Sequence, residues 1–464
     1  MSEQTVPRKE NRMGTEPIPR LLFSMAIPMM LSMMVQALYN VVDSIFVAKL
    51  SEDALTAVSL GFPMQNLLIA FATGLGVGIN ALLSRSLGEK NQKMVNESAR
   101  QGFFLEMCAA VIFMLIGIFG AGVFIRSQTD IASIVPDAIT YLNICIGVCP
   151  FCFMSIFFER MLQATGKTKL SMVAQMTGAI INIVMDPILI FGLLGFPALG
   201  VAGAAVATGF GQFCGAMVAL VLHLKYNKEI HLSFKGFRPN GHVIGIILGV
   251  GVPSIIMASI GSVMTYSMNR ILNGFTSTAV AVFGIYFKLQ SFIFMPVFGM
   301  NNAIVPIIAY NYGARHPDRM KKTIKLACAV AMSIMFCGFL LMQTIPQVFL
   351  GFFDASADML SIGVPALRTI SISFLAAGAC IIIGSTFQAL GKGTYSMFVS
   401  IARQLVVLVP AAWLLSKTGN LNAVWFAFPI AEIMGVACTV GFFLHLNKTI
   451  IKPLEMANES ELSN

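Results

Sequence analysis

The chain has 464 residues, of which 57% are hydrophobic and only 11% are charged, with a formal net charge of +9. A soluble domain carries about 25% charged residues, so the composition excludes a soluble protein and indicates a polytopic membrane protein. The basic residues lie mostly in alternate loops, as membrane topology requires, which excludes a nucleic-acid-binding surface as the reason for the charge.

Apolar windows bounded by breaker residues predict twelve membrane helices. The segment before them is polar and basic, with no cleavable signal pattern, so the first apolar run is expected to be a true span. Helices 1 to 6 are expected at about 21–48, 54–84, 101–124, 138–158, 168–192 and 199–224. Helices 7 to 12 are expected at about 243–267, 278–309, 324–346, 361–386, 394–416 and 421–446.

The two halves of the chain align at a single offset of 225 residues. Pro28 matches Pro253, Gly88 matches Gly313, and "LQATGKTKLSM" (162–172) matches "FQALGKGTYSM" (387–397). Six helices precede each repeat, so the halves share one orientation and are related by a pseudo-two-fold axis along the membrane normal. The expected fold is an all-α membrane protein of two six-helix bundles. Its expected parts are a cytoplasmic tail (1–20), an N-lobe (21–224), a cytoplasmic linker (225–242), a C-lobe (243–446) and a second cytoplasmic tail (447–464).

Lysine and arginine predict the orientation, because cytoplasmic loops carry an excess of both. With the N-terminus inside, the inner segments hold 23 of the 30 basic residues. The outer loops hold five of them, namely Lys49, Arg126, Arg270, Arg368 and Lys417. Both termini are therefore predicted to be cytoplasmic.

Asp43 lies inside predicted helix 1, in "ALYNVVDSIFVAKL" (37–50). An ionised aspartate at the centre of a membrane helix costs about 2.5–3.5 kcal/mol on insertion scales. Gln36, Asn40 and Asp43 follow i, i+4, i+7 spacing and make one polar stripe. Such residues are candidates for function by default.

Helix 5 repeats this pattern, since "NIVMDPILIF" (182–191) places Asp186 four residues after Asn182. Thr208 on helix 6 is predicted at a similar depth. Low dielectric and a neighbouring carboxylate both favour the protonated form of a carboxyl group, so a pair can bind and release a proton, while the same oxygens could instead hold Na+. The alternative is that each aspartate only packs helices together through a hydrogen bond.

Prolines and methionines in the predicted helices are further candidates for functional residues. Pro28 and Pro187 interrupt the two aspartate-bearing helices, with Pro253 as the repeat partner of Pro28, and each permits a kink. Methionine is adaptable and suits a permissive site for lipophilic ligands, although such residues more often simply pack. The candidates for a substrate cavity are Met33, Gln36, Tyr39, Asn40 and Gln175.

The second half carries a different set of charges, Lys288, Arg403 and Glu432, all predicted near the midplane as one buried network. Two interpretations remain open. The set either satisfies buried charges as an ion pair, or contacts substrate and gates the pathway.

Nothing in the sequence indicates an enzyme or a metal centre. The nine cysteines lie in apolar runs, and the metal-like spacing of Cys145, Cys149 and Cys152 has no histidine nearby. There is no HExxH, DDxxD or phosphate loop. We therefore expect no enzymatic activity, no metal and no cofactor, with only H+ or Na+ as a coupling ion.

The ordered set of motifs resembles the multidrug and toxic compound extrusion (MATE) family, most of all its bacterial MepA-like branch, near the DinF-like proteins. The resemblance covers essentially the whole chain and rests on the early Asp43, "NIVMDP" in helix 5, "GAAVAT" (203–208) and "LQATGKTK". It implies an antiporter of the bacterial inner membrane that expels amphipathic, mostly cationic drugs in exchange for H+ or Na+, by alternating access. It also implies that the coupling site comprises Asp43, Asn182, Asp186 and Thr208.

The chain departs from some branches of that family, because no acid lies between Glu229 and Asp318, where helices 7 and 8 are predicted. This favours coupling through the N-lobe and leaves the role of the C-lobe open. The expected coupling ion is H+ rather than Na+. The nearest rival is a lipid or lipid-linked oligosaccharide flippase of the same superfamily, in which several cavity cations would be expected. The expected partners are small lipophilic or cationic molecules and membrane lipids, with no nucleic acid, and a monomer already contains a complete pathway.

Overall fold

The computed structural model describes residues 10–353 and 355–462, and all regular structure in that part of the chain is helical. Ten helices are long and apolar enough to cross a membrane, and two bent helix pairs bring the number of spans to twelve. The prediction of twelve membrane helices is thereby confirmed.

The first six spans form the N-lobe. They are helix 1 (Ile18–Ala48), helix 2 (Glu52–Gly88), helix 3 (Gln92–Arg126), helix 4 (Val135–Gly147 with Cys149–Ala164), helix 5 (Thr168–Phe191) and helix 6 (Val201–Tyr226). Helix 4 bends by 42° at its break. A short helix, Arg12–Thr15, precedes helix 1.

The other six spans form the C-lobe. They are helix 7 (Gly241–Asn273), helix 8 (Ser277–Gly313), helix 9 (Pro317–Thr344), helix 10 (Ala357–Ser371 with Phe374–Ala389), helix 11 (Gly393–Ser416) and helix 12 (Leu421–Ser460). Helix 10 bends by 49° at the same place in the repeat as helix 4. Helix 11 contains a π-helical stretch, Ala402–Leu408.

Equivalent helices of the two lobes begin with the same kind of hydrogen bond. The hydroxyl of Ser51 accepts a hydrogen bond from the Ala54 amide at 3.0 Å and begins helix 2. Thr276, 225 residues later, does the same for helix 8 through the Ala279 amide at 3.1 Å. Such caps satisfy amides that a helix N-terminus leaves without a partner. The predicted repeat is therefore present in the backbone.

The ends of the bundle are distinguished here by the chain termini. We call the end that carries residues 10–17 and the linker 227–240 the terminal face, and the opposite end the far face. The lobes approach each other most closely in the half nearest the terminal face. There Gly74 lies against Ile255, and its repeat partner Gly299 lies against Met30. Gly74 is 14 residues from the end of helix 2, or about 21 Å at 1.5 Å per residue.

A segment before helix 1 closes the terminal face between the lobes. Asn11 donates to the Thr165 carbonyl of the N-lobe at 3.1 Å and to Glu229 of the linker at 2.7 Å. Arg319 of the C-lobe donates to the Met13 carbonyl at 2.9 Å. The Met13 side chain is fully buried. The lobes are thus closed at the terminal face.

One predicted boundary is wrong in a way that matters. Helix 4 does not end near residue 158 but continues to Ala164, which places Glu159 and Arg160 inside the N-lobe. Both side chains are buried. The sequence suggested a loop because two adjacent charges follow an apolar run. The charges are instead satisfied by neighbouring polar groups, so the helix continues.

Candidate cation and substrate site

Asp43 and Asp186 face each other between helices 1 and 5. Their carboxyl groups lie within hydrogen-bonding distance of each other. Asp186 is fully buried, and the Oδ1 atoms of both residues have no hydrogen-bond partner among the described residues. Two ionised carboxylates have only acceptor atoms, so they repel at this distance. The arrangement needs a proton or a cation between them.

Asn182 connects this pair to helix 6. Its amide lies 3.2 Å from the Thr208 hydroxyl. With the amide oxygen turned toward Thr208, the amide nitrogen donates to Asp186 Oδ2 at 3.3 Å. The structure therefore brings together the four residues predicted for the coupling site. They offer two carboxylates, an amide oxygen and a hydroxyl, which is an oxygen set that a hard cation can use.

Three side chains that the sequence analysis did not assign to the site extend it. Tyr141 and Cys145 of helix 4 lie within electrostatic range of Asp43. Gln65 of helix 2 donates to the Tyr141 hydroxyl at 3.2 Å. Tyr39, a predicted cavity residue, lies within electrostatic range of both Asp43 and Asp186. A lone tyrosine in an apolar helix gives little signal in a sequence, because only the fold shows which side it faces.

The polar stripe of helix 1 is accessible beside this pair. Gln36 and Asn40 are exposed, whereas Met33 and Tyr39 are half-buried. Asp43 is five residues from the far end of helix 1, or about 8 Å. Gln36, Tyr39 and Asn40 therefore lie in the half of helix 1 nearer the far face, beyond the close contact of the lobes at Met30 and Gly299. They suit a substrate cavity.

Gln175 differs from its prediction as a cavity residue. It lies in the half of helix 5 nearer the terminal face, and its amide donates to Glu159 Oε2 at 2.6 Å. It belongs to a buried polar cluster, and not to the group around Asp43. The reason is the corrected course of helix 4, which brings Glu159 alongside helix 5.

All three predicted prolines lie inside helices, Pro28 in helix 1, Pro187 in helix 5 and Pro253 in helix 7. Proline has no amide hydrogen, so each leaves one carbonyl of the preceding turn without its helical bond. Pro187 does so directly beside Asp186. The helices that carry the carboxyl pair therefore have a weakened point, as the sequence analysis proposed.

The C-lobe charges separate into two groups. Arg403 pairs with the buried Glu432 at 3.3 Å, as one predicted interpretation requires. Lys288 is not part of this buried network, which corrects the prediction. It is exposed, and its ammonium group lies 5.7 Å from the centre of the Phe353 ring. Counting residues along helix 8 could not show which way the Lys288 side chain points.

The two lobes differ at equivalent positions. The repeat partners of Asp43, Asn182 and Asp186 are Met268, Val407 and Ala411. The polar site of the N-lobe is thus replaced by apolar residues in the C-lobe. In the C-lobe, Arg403 and Glu432 connect helices 11 and 12, as Asn182 and Thr208 connect helices 5 and 6.

A sequence model of the family described as MatE matches the chain twice, over residues 28–188 and 253–414, which are the two halves of the repeat. The chain therefore belongs to the MATE family of membrane transporters. Its relatives include the multidrug export protein MepA of Staphylococcus aureus strain MSSA476, 26% identical over 427 residues, which cover 90% of this chain and 91% of MepA. The probable multidrug resistance protein YoeA of Bacillus subtilis strain 168 is 26% identical over 426 residues, again covering 90% and 91% of the two chains.

The fold agrees with that of solved MATE transporters. One is described as the outward-facing conformation of a multidrug resistance MATE family transporter of the MOP superfamily. It has a TM-score of 0.89 and 25% identity, and the match covers 97% of this chain and 99% of the other.

Proposed function

We propose that this protein exports amphipathic, mostly cationic compounds in exchange for an inward-moving cation, by alternating access of the cleft between its lobes. The observation that carries this proposal is the facing pair of Asp43 and Asp186, with unsatisfied oxygens beside an accessible polar stripe. The names of MepA and YoeA, which describe multidrug export and resistance, support the substrate class.

The coupling ion in this proposal is H+, with Na+ as the alternative. A proton between two carboxyl groups converts a repulsive contact into a hydrogen bond and removes one negative charge. A cationic substrate beside Gln36 and Asn40 is attracted by the ionised pair and loses that attraction when the pair is neutralised. Substrate and proton therefore compete without having to touch the same atoms.

In the proposed topology the terminal face is cytoplasmic and the membrane is the bacterial inner membrane. The excess of Lys and Arg near the terminal face supports this orientation. The described conformation is then outward-facing, in which drug leaves and the cation enters from outside. Each inward charge gains about 2.3 kcal/mol per 100 mV of membrane potential. Exchange of one proton for one monovalent drug cation is electroneutral and draws on the pH gradient alone.

The test is ethidium movement in proteoliposomes, with a pH gradient and a sodium gradient imposed separately. The wild type is compared with Asp43→Asn and Asp186→Asn, and with Asp137→Asn as a control that removes an exposed aspartate of the same lobe. We expect pH-driven transport that both site variants lose and the control keeps. Sodium-driven transport lost in the same variants would make the pair a sodium site. Transport that survives in both site variants would refute coupling at this pair.

A further inference from the structure

A second group of charges lies in the N-lobe, closer to the terminal face than the Asp43 pair. Glu106 of helix 3 is fully buried, and neither of its carboxyl oxygens accepts a hydrogen bond from the described residues. Arg160 of helix 4 is also buried and lies within electrostatic range of Glu106. An ionised carboxylate without hydrogen bonds is costly in such a place, so the arrangement is that of a neutral Glu106.

The guanidinium group of Arg160 is bound elsewhere, and across the lobe interface. It donates to Asn302 of helix 8, in the C-lobe, at 2.8 Å, and to Gln163 of its own lobe at 2.9 Å. Its counter-charge is Glu159, which accepts from Ser155 at 2.9 Å. Arg160 therefore connects the two lobes while the terminal face is closed.

The fold itself does not require these charges. The repeat partners of Glu106, Glu159 and Arg160 are Ala331, Gly384 and Ser385. The C-lobe thus packs the equivalent two helices, 9 and 10, without a charged side chain at these three positions. A buried charge set that the fold can omit, and that touches the moving interface, needs an explanation other than packing.

We propose that Glu106 and Arg160 form a second proton-binding site, which exchanges the Arg160–Asn302 hydrogen bond for an Arg160–Glu106 ion pair when the lobes part at the terminal face. In the closed state Glu106 carries its proton, and Arg160 bonds to Asn302. When Asn302 withdraws with the C-lobe, Arg160 loses one of its two acceptors, keeps Gln163, and turns to Glu106. Glu106 then releases its proton to water entering from the terminal face, and takes one back when the face closes.

The surroundings of Glu106 limit what else could titrate with it. Helices 2, 4 and 7 pack against helix 3. Arg160 and Cys152, both on helix 4, lie within electrostatic range of Glu106, and the Cys149 thiol of the same helix lies on the Ala110 carbonyl one turn away. Glu159 faces Arg160 and Cys152 in turn. Acidic pH should therefore favour closure of the terminal face through Glu106, and alkaline pH should favour its opening.

This inference rests on the alternation of the lobes in the proposed function, and its test is kept separate from coupling at Asp43. Spin labels at Lys93 and Lys322, which are exposed near the terminal face on the two lobes, report the opening by double electron–electron resonance. The protein is full-length, free of native cysteines, reconstituted in lipid without drug, and titrated with pH. Asp43→Asn/Asp186→Asn serves as the background.

We expect this background to retain a pH-dependent opening, and Glu106→Gln to abolish it and leave the face closed. Opening whose pH dependence is the same with and without Glu106 would overturn the inference, as would its complete absence in the background. In that case coupling at Asp43 and Asp186 would still be decided by the transport assay alone.

A second pair of variants leaves Glu106 unchanged, so the test does not depend on whether a protein with altered Glu106 folds normally. Asn302→Leu removes a hydrogen bond to a charged group and should lower the ratio of closed to open molecules about tenfold. Asn302→Asp offers Arg160 a charged partner and should raise it. Asn301→Leu, which changes the neighbouring amide, is the control. Equal effects of leucine at residues 301 and 302 would refute the connection through Arg160.

Discussion

Gly88 of helix 2 and Gly313 of helix 8 lie at equivalent positions of the repeat and bring the two lobes into backbone contact at the terminal face. A Cβ atom at Gly88 would overlap the carbonyl oxygen of Tyr310, and one at Gly313 would overlap that of Arg85. These neighbours are also 225 residues apart. The contact is therefore a symmetric seal, which only glycine permits.

Alanine at Gly88 should prevent this seal. Overpacking typically costs about 1–3 kcal/mol, which would lower the ratio of closed to open molecules by about 5- to 150-fold. We expect ethidium transport to fall by a similar factor, while the thermal stability of the lobes changes little. The distance between spin labels at Lys93 and Lys322 measures the closure, and ethidium movement in proteoliposomes measures transport. Gly245→Ala is the control, because a Cβ there meets no atom within 4 Å, and equal transport by both variants would contradict a seal.

Asn182 and Thr208 should matter through their hydrogen bonds. Thr208→Val removes the hydroxyl and keeps the shape, leaving the Asn182 amide without that partner. We expect pH-driven transport to fall by about tenfold, in keeping with a buried hydrogen bond of about 1–3 kcal/mol. Thr208→Ser keeps the hydroxyl and should restore transport. If valine and serine behave alike, the hydroxyl has no part in the site.

The Arg403–Glu432 pair is predicted to stabilise the C-lobe without taking part in transport. Arg403→Met leaves Glu432 buried without its partner, which typically costs about 3–5 kcal/mol. The double variant Arg403→Met/Glu432→Met should recover most of this stability and transport normally, because an apolar pair can replace a buried ion pair. Melting temperature and ethidium transport provide the measurements. A stable double variant that does not transport would show that the charges act on substrate or gating.

Pro28 and Pro187 are predicted to permit bending of the helices that carry Asp43 and Asp186. Alanine at Pro187 restores the amide that can bond to the Ile183 carbonyl, and should straighten helix 5 beside Asp186. We expect slower transport with unchanged or higher stability, and the same for Pro28→Ala. Pro63→Ala changes an exposed proline inside helix 2 and is the control. Normal transport by Pro28→Ala would refute the role of the bend.

The sequence was sufficient for the twelve helices and the repeat, because hydropathy and spacing depend only on local order. It also predicted that the four residues Asp43, Asn182, Asp186 and Thr208 would lie together. It was insufficient to predict which way individual side chains point from their helices. Lys288 was predicted in a buried network but points to an exposed position, and Gln175 lies with Glu159 rather than in the cavity. Helix 4 was ended too early, because Glu159 and Arg160 appear as a loop until their partners on helices 5 and 8 are known.

The most direct test of the central claim measures protons and substrate together. Purified protein in weakly buffered solution receives ethidium, and the protons released are counted for the wild type and for Asp43→Asn/Asp186→Asn. If the pair gives up a proton as substrate binds, the wild type releases protons and the double variant does not. Proton release that is equal in both proteins would contradict exchange at Asp43 and Asp186.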